Sequence, residues 1–195
     1  MKYALGIGNV NPEFQEFSQE FALTDLLKRE FSEDEELETT VRDIGKDVRA
    51  RGDAAVREMT EKLDKARLES FAVTQEEFDR AEALVEDSVK FAIETAIANV
   101  TKFHMRQKPV DSAPEDTSEG VSCWREFRAI ERVGLYVPGG TAALFSTVIM
   151  LAVPAKIAGC SEIAICTPPN SQGEAAPAVL YAAKRLGITE VYKIG

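Results

Sequence analysis

The residues best suited to chemistry in this chain are a tyrosine and a glycine-rich turn that follows it, Tyr136 and Pro138-Gly139-Gly140. Two consecutive glycines allow positive φ angles and let a ligand approach the backbone closely. A glycine loop that enters a helix N-terminus suits an anion such as a phosphate or a carboxylate. Short glycine motifs carry little specificity, so a tight turn that binds nothing is the alternative.

The sequence pattern leaves two positions open for Tyr136, a ligand cleft or the core. Its phenol offers a flat apolar face and a hydroxyl, which together suit a ribose or an aromatic ring. Side chains alternate along a strand, so Tyr136 and Gly134 face one side while Leu135 and Val137 face the other. Tyr136 also lies near the carboxyl end of its predicted strand, where ligands bind in open α/β sheets. The alternative is a buried tyrosine that hydrogen-bonds the backbone.

A strand–helix–strand unit is predicted to position these residues. Residues 133–137 form a short apolar run that is typical of a buried strand. Residues 147–158 predict a helix that is apolar on nearly all faces, with Ser146 or Thr147 as its N-cap and Gly159 at its end. A second strand is predicted at Glu162–Thr167. Pro154 inside the helix is expected to kink it.

A second crossover extends this unit. Residues 175–186 predict a helix, and residues 190–194 predict a third strand. The fold class is therefore α/β, with an N-terminal helical segment followed by an incomplete Rossmann-like βαβαβ parallel sheet. The loop at 168–170 follows a strand and is expected to lie beside the ligand cleft. The dinucleotide fingerprint G-x-G-x-x-G is absent from the chain.

The first two-thirds of the chain is predicted to be mainly helical. Capping boxes, Ser32 with Glu35 and Thr74 with Glu77, open predicted helices that end near residues 51 and 107. Between them, Asp53 is predicted to cap a helix over 54–63. The side chains expected to be buried are Val41, Ile44 and Val48, then Val56, Met59 and Leu63, then Phe78, Ala81, Val85, Val89, Ala92, Ala96, Val100 and Phe103.

The predicted division has three parts. Residues 1–31 form an N-terminal arm with one helix, residues 32–130 form a helical segment, and residues 131–195 form a nucleotide-binding domain. Within the second part, residues 110–119 are interpreted as a surface loop and residues 121–133 as a small hairpin. Trp124 is interpreted as a packing residue.

Composition narrows the class of partner. The net charge of −10 disfavours nucleic acid and anionic membranes. No apolar run reaches the length of a membrane span, and the N-terminus has no secretory signal pattern. The three cysteines have no C-x-x-C spacing, which indicates reduced thiols and a cytoplasmic protein.

Three motifs resemble the histidinol dehydrogenase family: 133–140 (Val-Gly-Leu-Tyr-Val-Pro-Gly-Gly), 145–148 (Phe-Ser-Thr-Val) and 154–159 (Pro-Ala-Lys-Ile-Ala-Gly). The segments 48–53 and 62–64 resemble the same family's early helical pair. The resemblance implies an oxidoreductase that oxidises L-histidinol to L-histidine, the last step of histidine biosynthesis. It also implies NAD, a bound zinc and a homodimer.

The resemblance assigns few residues. It implies that Tyr136 contacts NAD and that Pro138, Gly139 and Gly140 form the adjoining loop. The family's zinc ligands and its catalytic Glu-His pair match nothing in this chain, and its only histidine, His104, is interpreted as structural in preference to a ligand or base. We therefore expect the N-terminal portion of such an enzyme, inactive alone, with no catalytic or metal residue. The alternative is a non-catalytic fragment with weak nucleotide binding or a role in subunit packing.

If later chain normally covers the end of this portion, the strand at 190–194 and the apolar helix around Ile149 are left exposed. Exposed strand edges and apolar faces promote association.

Overall fold

The computed structural model describes residues 35–139 and 144–195, so the predicted N-terminal arm, the Ser32 cap and Gly140 lie outside the described residues. The chain divides into two compact units, residues 1–45 and 46–195. The predicted boundaries at residues 31 and 130 stay predictions. In the described ranges, no helix is both long and apolar enough to cross a membrane.

The first two helices are α1 (Glu35–Arg51) and α2 (Asp53–Leu63). Gly52 separates them at φ 58°, and it is the N-cap of α2, so the prediction that Asp53 caps this helix was wrong. The predicted buried stripe of α1 was also wrong, because none of its residues is buried. In α2 the buried side chains are Ala55 and Thr60, whereas Leu63 is exposed. Helical spacing fixes which side chains share a face but not whether another element covers that face.

The predicted long helix is two helices, α3 (Gln75–Leu84) and α4 (Asp87–His104), followed by a 3₁₀ turn at Met105–Gln107. Val85 and Glu86 are extended, with ψ angles of 126° and 148°. The capping box at the start of α3 is confirmed: Glu77 N–H donates to Thr74 Oγ1, and Thr74 N–H donates to Glu77 Oε2. Because the helix is broken, a different face of α4 packs on the core. Ile93 is buried, whereas Ala92, which had been predicted to be buried, is exposed.

The small hairpin lies earlier than predicted. Strands β1 (Glu115–Ser118) and β2 (Val121–Cys123) pair antiparallel around a turn at Gly120, whose φ is 78°. The first strand therefore comes from the segment that had been interpreted as a loop, because the Glu119-Gly120 turn sets the pairing. Both strands are exposed, and Trp124 is 61% exposed, so the packing role predicted for it was wrong.

The α/β fold is confirmed by a three-stranded parallel sheet. Its strands are β3 (Arg132–Tyr136), β4 (Glu162–Thr167) and β5 (Glu190–Lys193), in the order β3-β4-β5. The crossover helices are α5 (Phe145–Ala158) and α6 (Pro177–Arg185). Gly159 ends α5 in the left-handed conformation, as predicted, but Leu144 is its N-cap and no side chain caps it.

The core of residues 46–195 lies between this sheet and helices α3 to α6. Ile165 of β4 and Val191 of β5 contribute from the sheet, and Phe78 and Ile93 contribute from the helices. The predicted apolar helix α5 is only partly buried, since Ile149 is 1% exposed but Met150 is 54% exposed. Side chains of this size each contribute roughly 1.5–3 kcal/mol when fully buried.

Residues 71–73 cover the outer edge of β5. Lys193 N–H donates to Phe71 O and Val73 N–H donates to Val191 O, each over 2.8 Å. Ala72 pairs with Tyr192 in an antiparallel bridge. The expectation that the edge of this strand is left exposed was therefore wrong, because residues 71–73 cover it. The helix around Ile149 is partly exposed, since Ile149 itself is buried but Met150 and Leu151 are not.

An ion pair joins the same edge to helix α3. Lys193 Nζ lies 2.8 Å from Glu77 Oε1, and the two side chains are only 10% and 14% exposed. Burial raises the pKa of Glu77, but hydrogen bonds from Lys193 and Thr74 and the charges of Lys193 and Arg80 outweigh burial, so that pKa lies below its usual value. Helix α3 is thus fixed to the sheet by a charged contact as well as by its apolar face.

Candidate functional site

An open cavity of about 760 Å³ lies at the carboxyl ends of the three parallel strands. Residues after β3 and β4 form its walls, and the end of α2 and the start of α6 complete it. Ligand sites of this size are common in proteins, and this edge of a parallel sheet is where they gather. The lining residues are Leu63, Asp64, Tyr136, Pro138, Gly139, Leu144, Thr167, Pro168, Pro169, Asn170, Glu174, Ala176, Pro177, Val179 and Gly195.

Tyr136 lines this cavity and does not pack in the core. Its side chain is 53% exposed, whereas Val137, the next residue, is fully buried. Strand alternation accounts for the difference, because successive side chains point to opposite faces. Val137 N–H donates to Cys166 O over 2.8 Å, so the backbone stays paired up to the point where the loop begins.

Gly139 packs directly against Pro168. A Cβ at position 139 would overlap Cγ of the Pro168 ring and would lie 3.4 Å from Cβ and Cδ of that ring. A glycine is therefore needed here because of close approach, since its φ is not in the left-handed region. The contact joins the loop after β3 to the loop after β4. The structure thus brings Tyr136, Pro138 and Gly139 together at one cavity, and their role in binding a cofactor stays a prediction.

The loop after β4 is closed by hydrogen bonds to Asn170. Its Oδ1 accepts from the backbone N–H groups of Gln172 and Glu174, each over 2.9 Å. Its own backbone N–H donates to Glu174 O over 2.9 Å. Glu174 in turn pairs with Arg80 of α3 over 3.0 Å. These hydrogen bonds and this ion pair fix the conformation of this wall of the cavity.

One carboxylate in the cavity has no partner among the residues that the structure describes. Asp64 follows the last residue of α2, and its backbone N–H donates to Thr60 O, but its carboxylate makes no hydrogen bond or ion pair with the described residues. Burial raises the pKa of Asp64 above its usual value. Thr167 also lines the cavity, but it is only 2% exposed.

Sequence reasoning had assigned no role to Asp64 or Thr167. Asp64 lies in the segment 62–64 that resembles the family, but nothing local indicates that it faces the strand ends. The fold brings it there: Asp64 Oδ1 and Pro168 Cβ each lie 3.0 Å from the position that a Cβ on Gly195 would occupy. Thr167 could have been found, because it is the last residue of a predicted strand.

The described residues offer no site for a metal ion. No group of three His, Cys, Asp or Glu side chains between residues 35 and 139 or between 144 and 195 is placed to hold one. His104 Nδ1 lies 2.7 Å from Gln107 Oε1, and the His104 ring contacts Phe103 edge-on. These contacts favour the structural interpretation of this histidine. Cys123, Cys160 and Cys166 are all free thiols.

The geometry defines an α/β protein with a ligand-sized cavity at the carboxyl ends of a parallel sheet. The family model "Histidinol dehydrogenase" matches residues 27–195, and the chain belongs to the histidinol dehydrogenase family. It is 51% identical over 171 residues to a histidinol dehydrogenase from Bacteroides thetaiotaomicron, covering 88% of this chain and 40% of that protein. A Vibrio vulnificus relative is 49% identical over 148 residues, covering 76% of this chain and 33% of that protein.

A solved structure has the same fold. The crystal structure of histidinol dehydrogenase from Elizabethkingia anophelis superposes with a TM-score of 0.81 at 44% identity, covering 88% of this chain and 40% of that one. The present chain therefore spans about 40% of the length of the relatives that it matches most fully.

Proposed function

We propose that this chain is the N-terminal, nucleotide-binding portion of an NAD-dependent and zinc-dependent histidinol dehydrogenase, which oxidises L-histidinol to L-histidine. The observation that carries the proposal is the cavity at the strand ends, lined by Tyr136, Pro138 and Gly139 in a chain of this family. In the proposal, Tyr136 contacts NAD, and Pro138, Gly139 and Gly140 form the loop beside it. The incomplete Rossmann-like sheet is the platform for the cofactor.

The side chains present indicate which part of the enzyme binds the zinc. A catalytic zinc needs about three protein ligands, and the described residues do not provide them. The described residues therefore do not fit a catalytic zinc. The groups that bind zinc and histidinol are proposed to come from the rest of the family's longer chains. By the same resemblance, the protein works in the cytoplasm as a homodimer.

NAD binding to the purified chain tests the proposal. Isothermal titration calorimetry measures affinity for the wild type and for Tyr136→Phe and Tyr136→Ala. We expect Tyr136→Phe to weaken binding about 5-fold, as for one hydrogen bond, and Tyr136→Ala to weaken it more, because the ring face is also lost. The melting temperature should hardly change, because the side chain is half exposed.

Tyr192→Phe is the matched control. Tyr192 lies on β5, is half buried and does not line the cavity. NAD affinity should be unchanged in this variant. A large fall in melting temperature for Tyr136→Ala with unchanged NAD affinity would show that Tyr136 is a packing residue. Absence of NAD binding to the wild-type chain favours the alternative, a fragment whose role is subunit packing.

A further inference from the structure

The Asp64 end of the cavity carries a carboxylate acceptor and no cation among the described residues. No described residue neutralises this carboxylate. No lysine or arginine of the described chain lines the cavity. The other lining carboxylate, Glu174, is already paired with Arg80. A phosphate placed here meets negative charge alone, whereas a neutral group with several hydroxyl donors finds acceptors.

We infer that Asp64 accepts hydrogen bonds from the vicinal hydroxyls of a ribose, and that its charge rejects a ribose carrying a 2′-phosphate. The inference rests on the proposed function, because it assigns one part of the NAD site. A carboxylate accepts two hydrogen bonds at once, which matches the two adjacent O–H donors of a ribose diol. Asp64 is thereby a residue that selects NAD over NADP.

The position of Asp64 agrees with a binding role. Its carboxylate neighbours Pro168 across Gly195, so it lies at the strand ends with Tyr136 and the Gly139 loop. Removing a carboxylate from water without a partner costs stability, and the raised pKa of Asp64 has this origin. Lys65, the next residue, has φ 59°, in the left-handed region. A side chain that lowers stability where it stands is a good candidate for a group kept for binding.

The contact between Asp64 and a ribose hydroxyl can be tested by removing the carboxylate and the hydroxyl separately and together. Calorimetry measures the binding of AMP and 2′-deoxy-AMP, and of nicotinamide mononucleotide and its 2′-deoxy form, to the wild type and to Asp64→Ala. These two pairs separate the adenosine ribose of NAD from the nicotinamide ribose. For one pair, loss of the 2′-hydroxyl should weaken wild-type binding roughly 10- to 100-fold, as expected for hydrogen bonds to a charged group. In Asp64→Ala the same loss should have almost no effect.

The variant Asp64→Asn tests whether the charge of Asp64 rejects a ribose 2′-phosphate. Removing the charge while keeping the shape should raise affinity for adenosine 2′,5′-bisphosphate and narrow the preference for NAD over NADP. The melting temperature at neutral pH should rise, which shows that the variant is folded. Glu61→Gln is the control, because it removes the same charge from α2 at a residue that does not line the cavity. It should leave every affinity ratio unchanged.

The outcomes separate the two proposals. If the wild type binds NAD but Asp64→Ala weakens the hydroxyl and deoxy forms equally, Asp64 does not contact a ribose diol and this inference is wrong. Affinities that do not change in Asp64→Ala would overturn the inference in the same way. If the wild type binds none of NAD, AMP and nicotinamide mononucleotide, the proposed function itself fails, and the inference fails with it.

Discussion

The buried ion pair between Glu77 and Lys193 should be strongly coupled. Its atoms lie 2.8 Å apart, and the side chains are 14% and 10% exposed, so removing one partner leaves a charge with little water around it. Breaking a fully buried pair costs about 3–5 kcal/mol, and the remaining exposure lowers this to about 2–3 kcal/mol here. We expect a cost of that size for Glu77→Gln, which keeps an oxygen acceptor for Thr74 N–H, and for Lys193→Met.

The double variant should be less destabilised than the sum of the two single variants. Urea unfolding of all four proteins, followed by far-UV circular dichroism, gives the coupling free energy. We expect roughly 2 kcal/mol, since most of each single cost comes from the charge left behind. The contact of Lys184 with Asp79 is the control. It has the same 2.8 Å separation, but its side chains are 34% and 61% exposed, so its coupling should be much smaller.

The pH dependence gives an independent check. The pKa of Glu77 is lowered in the folded protein. Its contribution to stability is therefore complete above the ordinary carboxyl pKa and is lost as the pH falls through the lowered value. The coupling measured at pH 7 should disappear in strongly acidic solution. A coupling below about 0.5 kcal/mol at pH 7, no larger than that of an exposed pair, would refute the reasoning.

Two further results are expected. Gly139→Ala should lower stability by about 1–3 kcal/mol and weaken NAD binding, because the added methyl forces the Pro168 ring to move. Gly134→Ala, whose added Cβ meets nothing within 4 Å, is the control, and equal stabilities for the two variants would contradict this account. The chain alone should neither bind zinc tightly nor reduce NAD with histidinol, since its described residues lack a ligand cluster. Turnover above a no-protein control with zinc added, retained after repurification, would count against that expectation.

Local patterns predicted the sheet and its helices well. Strand β4 has the predicted bounds, and the Thr74 capping box and the Gly159 helix end lie where they were expected. These features depend on residues that are close in sequence, such as a hydroxyl and the N–H three residues later. The break between α3 and α4 contains no glycine or proline. It was missed because the apolar spacing continues through Val85, which is buried in both interpretations.

Features that depend on distant parts of the chain could not be predicted in this way. Residues 71–73 pair with β5, and Asp64 reaches the cavity, only because the whole fold brings them there. For the candidate site, Tyr136 and its loop were predictable because they end a strand that forms part of a recognisable βαβ unit. The cavity wall formed by α2 carries no such local signal. Likewise, the stripe of α1 is apolar at helical spacing and yet exposed.

The short pairing of residues 71–73 with β5 also decides in which direction this sheet can grow. Backbone donors and acceptors on the far side of β5 are already used, whereas β3 is paired with a described strand on one side only. An incoming strand, whether from a longer family member or from a second copy, is therefore directed to β3. A strand added there would lie beside β3, which comes first of the three strands in the sequence, so the chain would reverse its direction of winding next to Tyr136. In open α/β sheets a crevice opens where the winding direction reverses. A strand that pairs with the free edge of β3 would therefore deepen the cavity at the strand ends.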